Sequence, residues 1–271
     1  MNGVAPEAEE VGQLKEVRSH VTFTLFRFNR RKLWAFAAMG LRRSGLQDVP
    51  GLRFARMMGS GSGIGFSARP DFSRYALFAV WRNRASADAF FAESPFVEAY
   101  RKRASALRTW HLAPTRVQGA WDGEVPLVIG EKVETENGQD DQLQGGDDQR
   151  GDVRQAVLTR ATIRPRHLLR FWQSVAPVAD ELAVAPGRIF SIGVGEAPWI
   201  RQATFSVWES AQAMQDFAYR SEEHRAVIRR TREEGWYSEE MFARFALLGI
   251  DDDGQRDEND FEENHDETTR P

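Results

Sequence analysis

The chain contains no cysteine in its 271 residues. Disulfide bonds, thiolate nucleophiles, cysteine-ligated zinc and cysteine-held iron–sulfur clusters are therefore excluded. A haem with a thiolate ligand is excluded for the same reason, so a haem iron would need His, Tyr or Met as its axial ligand. Histidine is also scarce, with five residues in the whole chain: His20, His111, His167, His224 and His265.

Long apolar runs are missing as well. No stretch approaches the roughly 18–20 residues that a membrane-spanning helix requires. Met1–Val11 carries Glu7, Glu9 and Glu10, where a signal peptide would have basic residues followed by an apolar stretch. We therefore expect the protein in the cytoplasm, and the sequence leaves open a peripheral position at the surface of a membrane.

The net charge of −4 is unevenly distributed along the chain. Residues 251–271 carry −8, residues 131–152 carry −6 and residues 1–19 carry −2, so the rest of the chain carries +12. We interpret 1–19 and 251–271 as disordered acidic tails and 131–152 as a disordered acidic linker. The basic remainder suits an anionic partner, such as a membrane surface or an acidic electron donor, and equally an acidic coat that keeps a basic core soluble. No nucleic-acid partner is expected.

The linker divides the chain into two halves that contain matching segments in the same order. FTLFRFNRRKLWAF aligns with LTRATIRPRHLLRF at an offset of 135 residues, MGSG with IGVG at 134, and LFAVW with TFSVW at 127. These matches predict two copies of one unit, at residues 20–130 and 153–250.

Hydrophobic patterning predicts the order strand, helix, strand, strand, helix, strand in each half. The predicted strands are Val21–Phe28, Leu52–Gly59, Tyr75–Trp81, Ala106–Val117, Gln155–Ile163, Ile189–Gly195, Ala203–Trp208 and Trp236–Leu248. The predicted helices are Arg31–Leu46, Ala85–Ala104, Pro165–Val175 and Ser210–Arg232. This order is that of the ferredoxin-like βαββαβ unit. We predict an α+β fold in which two tandem ferredoxin-like repeats pack sheet to sheet as an α+β barrel. Because haem oxygenases, haem-dependent dehydratases and cofactor-free monooxygenases share that architecture, the fold does not decide the function.

Several segments resemble the signature stretches of the spheroidene monooxygenase family. They are LFRF, LWAFAAMG, GSGSGIGF, ATIRPRHLLRFW, SIGVGEAP, QATFSVW and EGWYSEEMFARF, in this order between about Val21 and Gly249. The resemblance implies an oxygenase that introduces a keto group at C-2 of an acyclic carotenoid. It further implies haem as the cofactor, O₂ as the oxidant and a reduced ferredoxin-type protein as the electron donor. The acidic tails and the acidic linker do not belong to that pattern.

If the protein binds haem as the resemblance implies, His224 is the first choice for the axial ligand to the iron. In a helix from Ser210, His224 continues an apolar stripe through Met214, Phe217 and Ile228. The matching position of the first half is Val97. A buried imidazole needs a partner for its ring nitrogens, and iron would be one such partner. A hydrogen bond to a neighbouring group is the alternative.

His167 is the second choice of ligand, and a position at the rim of a site is the alternative for it. Arg160, Arg164 and Arg166 precede the same predicted helix. Arg164 and Arg166 are candidates for pairing with the carboxylates of haem propionates, and a solvated basic edge is the alternative. His111 lies in a predicted strand and is a weaker candidate.

Other classes of site find less support in the sequence. The loop GSGSGIG (59–65) lacks the lysine of a phosphate-binding loop. Its counterpart GVGE ends a predicted strand, which indicates a close backbone approach or a bulge. No HExxH or Ser-His-Asp signature is present. A cofactor-free monooxygenase and a non-enzymatic haem- or carotenoid-binding protein remain as alternatives to the haem enzyme.

Overall fold

Alternating apolar and polar residues form eight strands, which close into one antiparallel barrel. The computed structural model describes residues 18–41, 45–63, 67–130, 153–197, 199–220 and 222–254. The strands are β1 (His20–Arg27), β2 (Leu52–Gly61), β3 (Pro70–Trp81), β4 (Ala106–Gly119), β5 (Gln155–Ile163), β6 (Arg188–Ala197), β7 (Arg201–Trp208) and β8 (Tyr237–Gly254). Their order around the barrel is β1-β3-β2-β6-β7-β5-β8-β4. The prediction of an α+β barrel is therefore confirmed.

Six helices lie outside the barrel in the described part of the chain. They are α1 (Lys32–Leu41), α2 (Arg84–Glu93), α3 (Pro95–Arg101), α4 (Leu168–Ala183), α5 (Ala211–Arg220) and α6 (Glu222–Glu234). Each half places its fourth strand beside its first, then its third, then its second. This is the strand order of a ferredoxin-like unit. The origin of the halves as two copies of one unit stays a prediction.

The two halves meet along two very different seams. Strands β4 and β8 pair from Ala106–Gly254 to Gly119–Met241, whereas β2 and β6 pair only at Gly59–Gly195 and Ser60–Val194. A Cβ added at Gly195 would lie 2.7 Å from the carbonyl oxygen of Arg201, and the register between β6 and β7 shifts after Gly195. The sequence-based expectation of a close approach or a bulge at GVGE is confirmed.

Aromatic side chains from all parts of the chain fill the barrel. The rings of Phe23 and Phe205 stack at 4.0 Å, and those of Phe78 and Trp121 stack at 5.3 Å. Trp121 and Leu127 belong to the segment after β4, and both are buried in the same apolar core as the inward-facing strand residues. This segment therefore closes one end of the barrel, and the interior is a packed core.

Two of the predicted helices each correspond to two helices of the structure. The predicted helix Ala85–Ala104 divides into α2 and α3, because Pro95 lacks the N–H that would continue α2. The Ser94 hydroxyl instead accepts a hydrogen bond from the Phe96 N–H at 3.2 Å and caps α3. The predicted helix Ser210–Arg232 corresponds to α5 and α6, which lie before and after Ser221, a residue outside the described part of the chain.

Strand β8 runs beyond the expected start of the acidic tail at residue 251. Asp251, Asp252 and Asp253 pair in register with Thr109, Arg108 and Leu107 of β4. Arg108 binds Asp252 at 2.5 Å, and Arg101 forms an ion pair with Asp253. Because Arg101 and Arg108 neutralise two of these carboxylates, the strand can continue through a segment that its charge alone marks as tail. The remaining residues of both predicted tails, apart from Arg18, Ser19 and Gly254, lie outside the described residues, as do 131–152 of the linker.

A chain of two buried histidines leads from β1 to this acidic end of β8. His20 Nε2 lies 3.0 Å from His111 Nδ1, and His111 Nε2 lies 2.9 Å from Asp251 Oδ2. Both contacts are hydrogen bonds if His111 Nε2–H donates to the Asp251 carboxylate and His20 Nε2–H donates to His111 Nδ1. This arrangement needs one proton on each ring. Burial, followed by the neighbouring His111 and Arg84, lowers the pKa of His20 to about 4. His111 therefore has a structural partner rather than an open position for a ligand.

The lowered pKa of His20 predicts a loss of stability in mild acid. The unfolded chain binds a proton at His20 below about pH 6.5, whereas the folded chain excludes it down to about pH 4. The free energy of unfolding should therefore fall across this window, by on the order of 1–3 kcal/mol from this residue. In urea titrations between pH 7 and pH 4, His20→Gln should show a smaller fall than the wild type. An equal fall in both proteins would show that folding does not lower the pKa of His20.

Candidate functional site

The outer faces of the two sheets carry very different side chains at corresponding positions. In the first half, Leu77 pairs with Met57 and with Thr24. In the second half, Thr204 pairs with Gly193 and with Thr159. The strand registers therefore place Gly193 where the first half has Met57, and Thr204 where it has Leu77.

This correspondence corrects the alignment of MGSG with IGVG by two residues. The sequence alignment makes Met58 equivalent to Ile192, an offset of 134 residues. The strand registers make Gly59 equivalent to Gly195, an offset of 136, because Gly59 pairs with Tyr75 and Gly195 with the equivalent residue Gln202. A slip of two residues keeps every side chain on its own face of the strand, so the alternation of apolar residues cannot detect it. The hydrogen-bond registers detect it because each strand is tied to two neighbours.

In the first half, large side chains fill the space between the sheet and α1–α3. Phe26, Met57, Tyr75 and Leu77 are all buried and belong to one continuous apolar cluster with these helices. The corresponding residues of the second half are Ala161, Gly193, Gln202 and Thr204. The second sheet therefore lacks the bulk that fills the first, at the same places under its helices.

The helices of the second half cover their sheet at two separate places. One apolar cluster contains Val157 and Trp208, and the other contains Ile163 and Trp236. Along β5, Thr159 and Ala161 lie on the outward face between these clusters. Thr159 is exposed, whereas Thr24 at the corresponding position is completely buried. We name the outer face formed by the small residues Thr159, Ala161, Gly193 and Thr204 the second-half cleft.

Polar groups without partners accompany this missing bulk. Ser191 Oγ and Thr204 Oγ1 on the outer face of the sheet, and Trp172 Nε1 on α4, are buried and make no hydrogen bond to another described residue. Buried polar groups are nearly always hydrogen-bonded, and exceptions indicate an interaction with a ligand, a water molecule or an ion. The second-half cleft therefore combines apolar walls with a few hydrogen-bonding groups, which is the usual composition of a small-molecule site.

The side chain of the first-choice ligand, His224, lies outside the described residues, although its backbone belongs to α6. The other described members of the stripe that suggested it differ in burial. Met214 is buried and Phe217 packs beside it, whereas Ile228 is 37% exposed. The assignment of His224 as an axial ligand stays a prediction.

His167 and its neighbouring arginines lie where β5 leads into α4. His167 is half-buried, and its Nε2 accepts a hydrogen bond from Arg166 Nε at 2.9 Å. Arg164 and Arg166 are both exposed, and Arg164 Nε donates to the carbonyl oxygen of Tyr237 at 3.0 Å. Arg160 does not join them. It lies within β5 on the face that points into the barrel, and only 1% of its surface is exposed.

Arg160 instead belongs to a cluster of charges at one end of the barrel, in which its own side chain is buried and its partners Asp122 and Glu239 are partly exposed. Its guanidinium forms an ion pair with Glu239, approaches Asp122 at 3.4 Å and lies 5.5 Å from the Trp121 ring. Glu196 accepts a hydrogen bond from Trp121 Nε1 at 2.7 Å. These contacts hold the segment after β4 across the end of the barrel.

The carboxylates of this cluster are stabilised in their charged form. Burial alone would raise the pKa of Asp122, but hydrogen bonds and charge from Arg56, with the charges of Arg201 and Arg160, hold it below its usual range. Burial opposes ionisation of Glu239 too, and the N–H groups of Gly123 and Asp122, together with Arg160, outweigh it and lower its pKa. The sequence did not indicate this cluster, because its members come from distant segments.

An open cleft of about 870 Å³ adjoins the charge cluster. It is lined by residues of the segment before β2, by β2 itself and by the charged groups Arg53, Arg56, Asp122, Glu196 and Arg201. Since charges of both signs dominate this lining, it suits a long hydrocarbon less well than the second-half cleft does. Among the described residues, no group of three or more His, Asp or Glu side chains is arranged to hold a metal ion.

The barrel, with helices over both sheets, defines an α+β-barrel protein. Two solved structures of aldoxime dehydratase, one of them with bound butyraldoxime, share this fold. They give TM-scores of 0.55 and 0.54 at 14% and 12% identity, and cover 86% and 85% of this chain and 82% and 80% of theirs. Residues 133–263 match a domain family described as a domain of unknown function, DUF3291.

The particular family follows from closer relatives. The chain is 35% identical to spheroidene monooxygenase of Cereibacter sphaeroides over 233 residues, which are 84% of this chain and 67% of the relative. It is 36% identical to that of Rubrivivax gelatinosus, covering 81% and 78% of the two chains, and 33% identical to that of Rhodobacter capsulatus, covering 85% and 90%. The chain belongs to the spheroidene monooxygenase family, as its signature segments predict, and it is a monooxygenase.

The contrast between the two halves predicts opposite effects of exchanging their residues. Thr204→Leu removes a buried hydroxyl without a partner and adds apolar bulk, so the free energy of unfolding should rise by about 1 kcal/mol. The reciprocal change Leu77→Thr introduces a hydroxyl into a filled core and should lower it by about 2–4 kcal/mol. Urea titrations of both variants measure the two effects. A clear loss of stability in Thr204→Leu would show that no space is available above Thr204.

Proposed function

We propose that the protein introduces a keto group at C-2 of an acyclic carotenoid, with O₂ as oxidant and electrons from a reduced ferredoxin-type donor. Membership of the spheroidene monooxygenase family carries this proposal, and the second-half cleft supports it with an apolar space of the required kind. We further propose that haem binds in this cleft, and that the cleft exists because one of two ferredoxin-like copies lost its filling side chains.

The residues of the cleft fit a large, flat and mostly apolar group. Gly193 and Ala161 are much smaller than Met57 and Phe26, which fill the corresponding places in the first half. The hydroxyls of Ser191 and Thr204 are available for hydrogen bonds. In this proposal His224 on α6 is the axial ligand of the haem iron and His167 is the second choice. The guanidinium groups of Arg164 and Arg166 pair with the propionates.

When bound, haem supplies the activation of O₂, and the protein supplies orientation and a dry environment. The apolar clusters around Trp208 and Trp236 flank the cleft and can hold the hydrocarbon chain by burying its surface. Holding one chain end in a fixed position favours reaction at a single carbon. Two successive insertions of oxygen at that carbon give a geminal diol, which loses water to leave the ketone. Each insertion consumes one O₂, two electrons and two protons, and releases one water molecule.

Spectra of the purified protein test the cofactor first. After expression with a supply of haem, the wild type should show a Soret band, and His224→Ala should lose haem or shift the band. His167→Ala is the matched variant and should keep the wild-type spectrum. Full haem content and an unchanged spectrum in His224→Ala would refute the ligand assignment. Thr204→Leu should lower haem content, whereas Leu77→Thr should leave it unchanged.

Turnover tests the reaction itself. With an acyclic carotenoid, a reduced ferredoxin and ¹⁸O₂, the product should be a ketone that carries the isotope. Catalysis without a Soret band would favour a cofactor-free monooxygenase. Tight binding of the carotenoid without any product would favour a carrier protein.

A further inference from the structure

Helix α1 is apolar on the side that faces solvent as well as on the side that faces the barrel. Trp34, Ala35 and Ala38 point inward and pack in the first-half cluster. On the opposite side Leu33 is 87% exposed and Phe36 is 53% exposed. A helix on the surface of a protein that faces only water normally carries polar residues on its outer side.

A third exposed aromatic residue extends this surface beyond the helix. Phe72 on β3 is 49% exposed, and its ring meets the Phe36 ring edge-on at 5.6 Å. Single exposed apolar side chains are common, whereas a contiguous group of them indicates a site of interaction. We name Leu33, Phe36 and Phe72 the α1 patch.

Three consecutive basic residues border the α1 patch. Arg30, Arg31 and Lys32 are all exposed and lead directly into α1. No ion pair among the described residues uses any of them. The nearest carboxylate along β3, Asp71, pairs with Arg74 at 2.8 Å, so it does not neutralise them. Arg31 adopts a left-handed backbone conformation with φ of 62°, and the chain turns sharply here into the helix.

We propose that the α1 patch inserts into the surface of an anionic lipid bilayer, with Arg30, Arg31 and Lys32 on the lipid headgroups. Apolar side chains beside a basic cluster are the combination that binds such surfaces, since apolar burial and attraction to anionic lipids add together. Among the described residues no helix combines the length and apolarity needed to cross a membrane. The contact is therefore at the surface.

Charge and size both favour a bilayer over a protein partner. A second copy of this chain would bring two clusters of three positive charges together, which is unfavourable. Three apolar side chains also make a small contact, whereas stable protein interfaces bury about 1,200–2,000 Å² in total. A bilayer needs no such area, because a few inserted side chains and several headgroup contacts suffice. The value of this contact to the cell rests on the proposed carotenoid substrate, which dissolves in lipid, but the contact itself does not.

Co-sedimentation with vesicles tests this surface. The full-length protein should bind vesicles that contain about a third phosphatidylglycerol and should bind pure phosphatidylcholine vesicles much more weakly. Arg30→Glu/Arg31→Glu/Lys32→Glu should weaken binding to the anionic vesicles on the order of a hundredfold, from about fivefold for each basic residue near the surface. Leu33→Ser/Phe36→Ser should weaken binding to them at least about tenfold. All five positions are exposed, and unchanged circular dichroism and thermal midpoints check that the variants fold.

Matched variants elsewhere on the surface complete the experiment. Val184 is exposed after α4 and Arg116 is exposed on β4, so Val184→Ser and Arg116→Glu should bind vesicles like the wild type. Equal binding of the wild type to both kinds of vesicle, or binding to neither, would overturn the proposal. A dimer of the wild type that Leu33→Ser/Phe36→Ser abolishes, without vesicle binding, would identify the patch as an interface between copies.

Turnover of carotenoid dispersed in detergent separates this proposal from the proposed function. The patch variants should keep wild-type activity there, because neither the α1 patch nor its basic border touches the second-half cleft. Vesicle binding by a protein that turns over no carotenoid would leave the α1 patch established and the proposed reaction refuted.

Discussion

Packing of the barrel interior determines where a ligand can bind in this protein. Inward-facing side chains from all eight strands meet in one core, and aromatic stacks such as Phe23 on Phe205 fill it. Trp121 closes one end of the barrel, where Arg160 and its carboxylate partners hold it. A polyene or a flat cofactor therefore has no room in this core, which leaves the layers between each sheet and its helices and the open cleft beside the charge cluster. Two such layers exist, one for each half.

The two layers differ in the size of the side chains that the sheet contributes to them. The first half fills its layer with Phe26, Met57, Tyr75 and Leu77 in one continuous cluster, so it stabilises the fold. The second half has smaller residues at these positions, and the smaller apolar burial costs stability. Such a cost persists in natural proteins chiefly where function requires it. The first half thus serves as an internal reference that shows which features of the second half folding does not require.

Much of the fold could be predicted from the sequence, because alternating residues such as those of β1 and β5 reveal strands directly. The helix boundaries were less predictable, since Pro95 ends α2 although the apolar pattern continues past it. The second-half cleft could not be predicted at all. It depends on which residue of β6 lies beside Thr204, and a two-residue slip in that register leaves every sequence pattern unchanged. Arg160 was grouped with Arg164 and Arg166 for a similar reason. Neighbours in sequence shared a charge, but Arg160 lies on β5 and faces the barrel interior, whereas Arg164 and Arg166 follow the end of that strand at Ile163 and are exposed.

The charge pattern also has a different meaning once the strands are paired. Counted along the sequence, the acidic segment from residue 251 looks like a tail separate from a basic core. In the structure its first three carboxylates lie on β8, where Arg101, Arg108 and His111 meet them. Part of the basic charge of the core is therefore neutralised within the chain and cannot attract an anionic partner. The positive charge that remains for such a partner lies on exposed basic residues that form no ion pair with another described residue. Arg30, Arg31 and Lys32 are such residues. Because these three also adjoin exposed apolar side chains, their position predicts the orientation of the molecule on a membrane, which net charge alone cannot do.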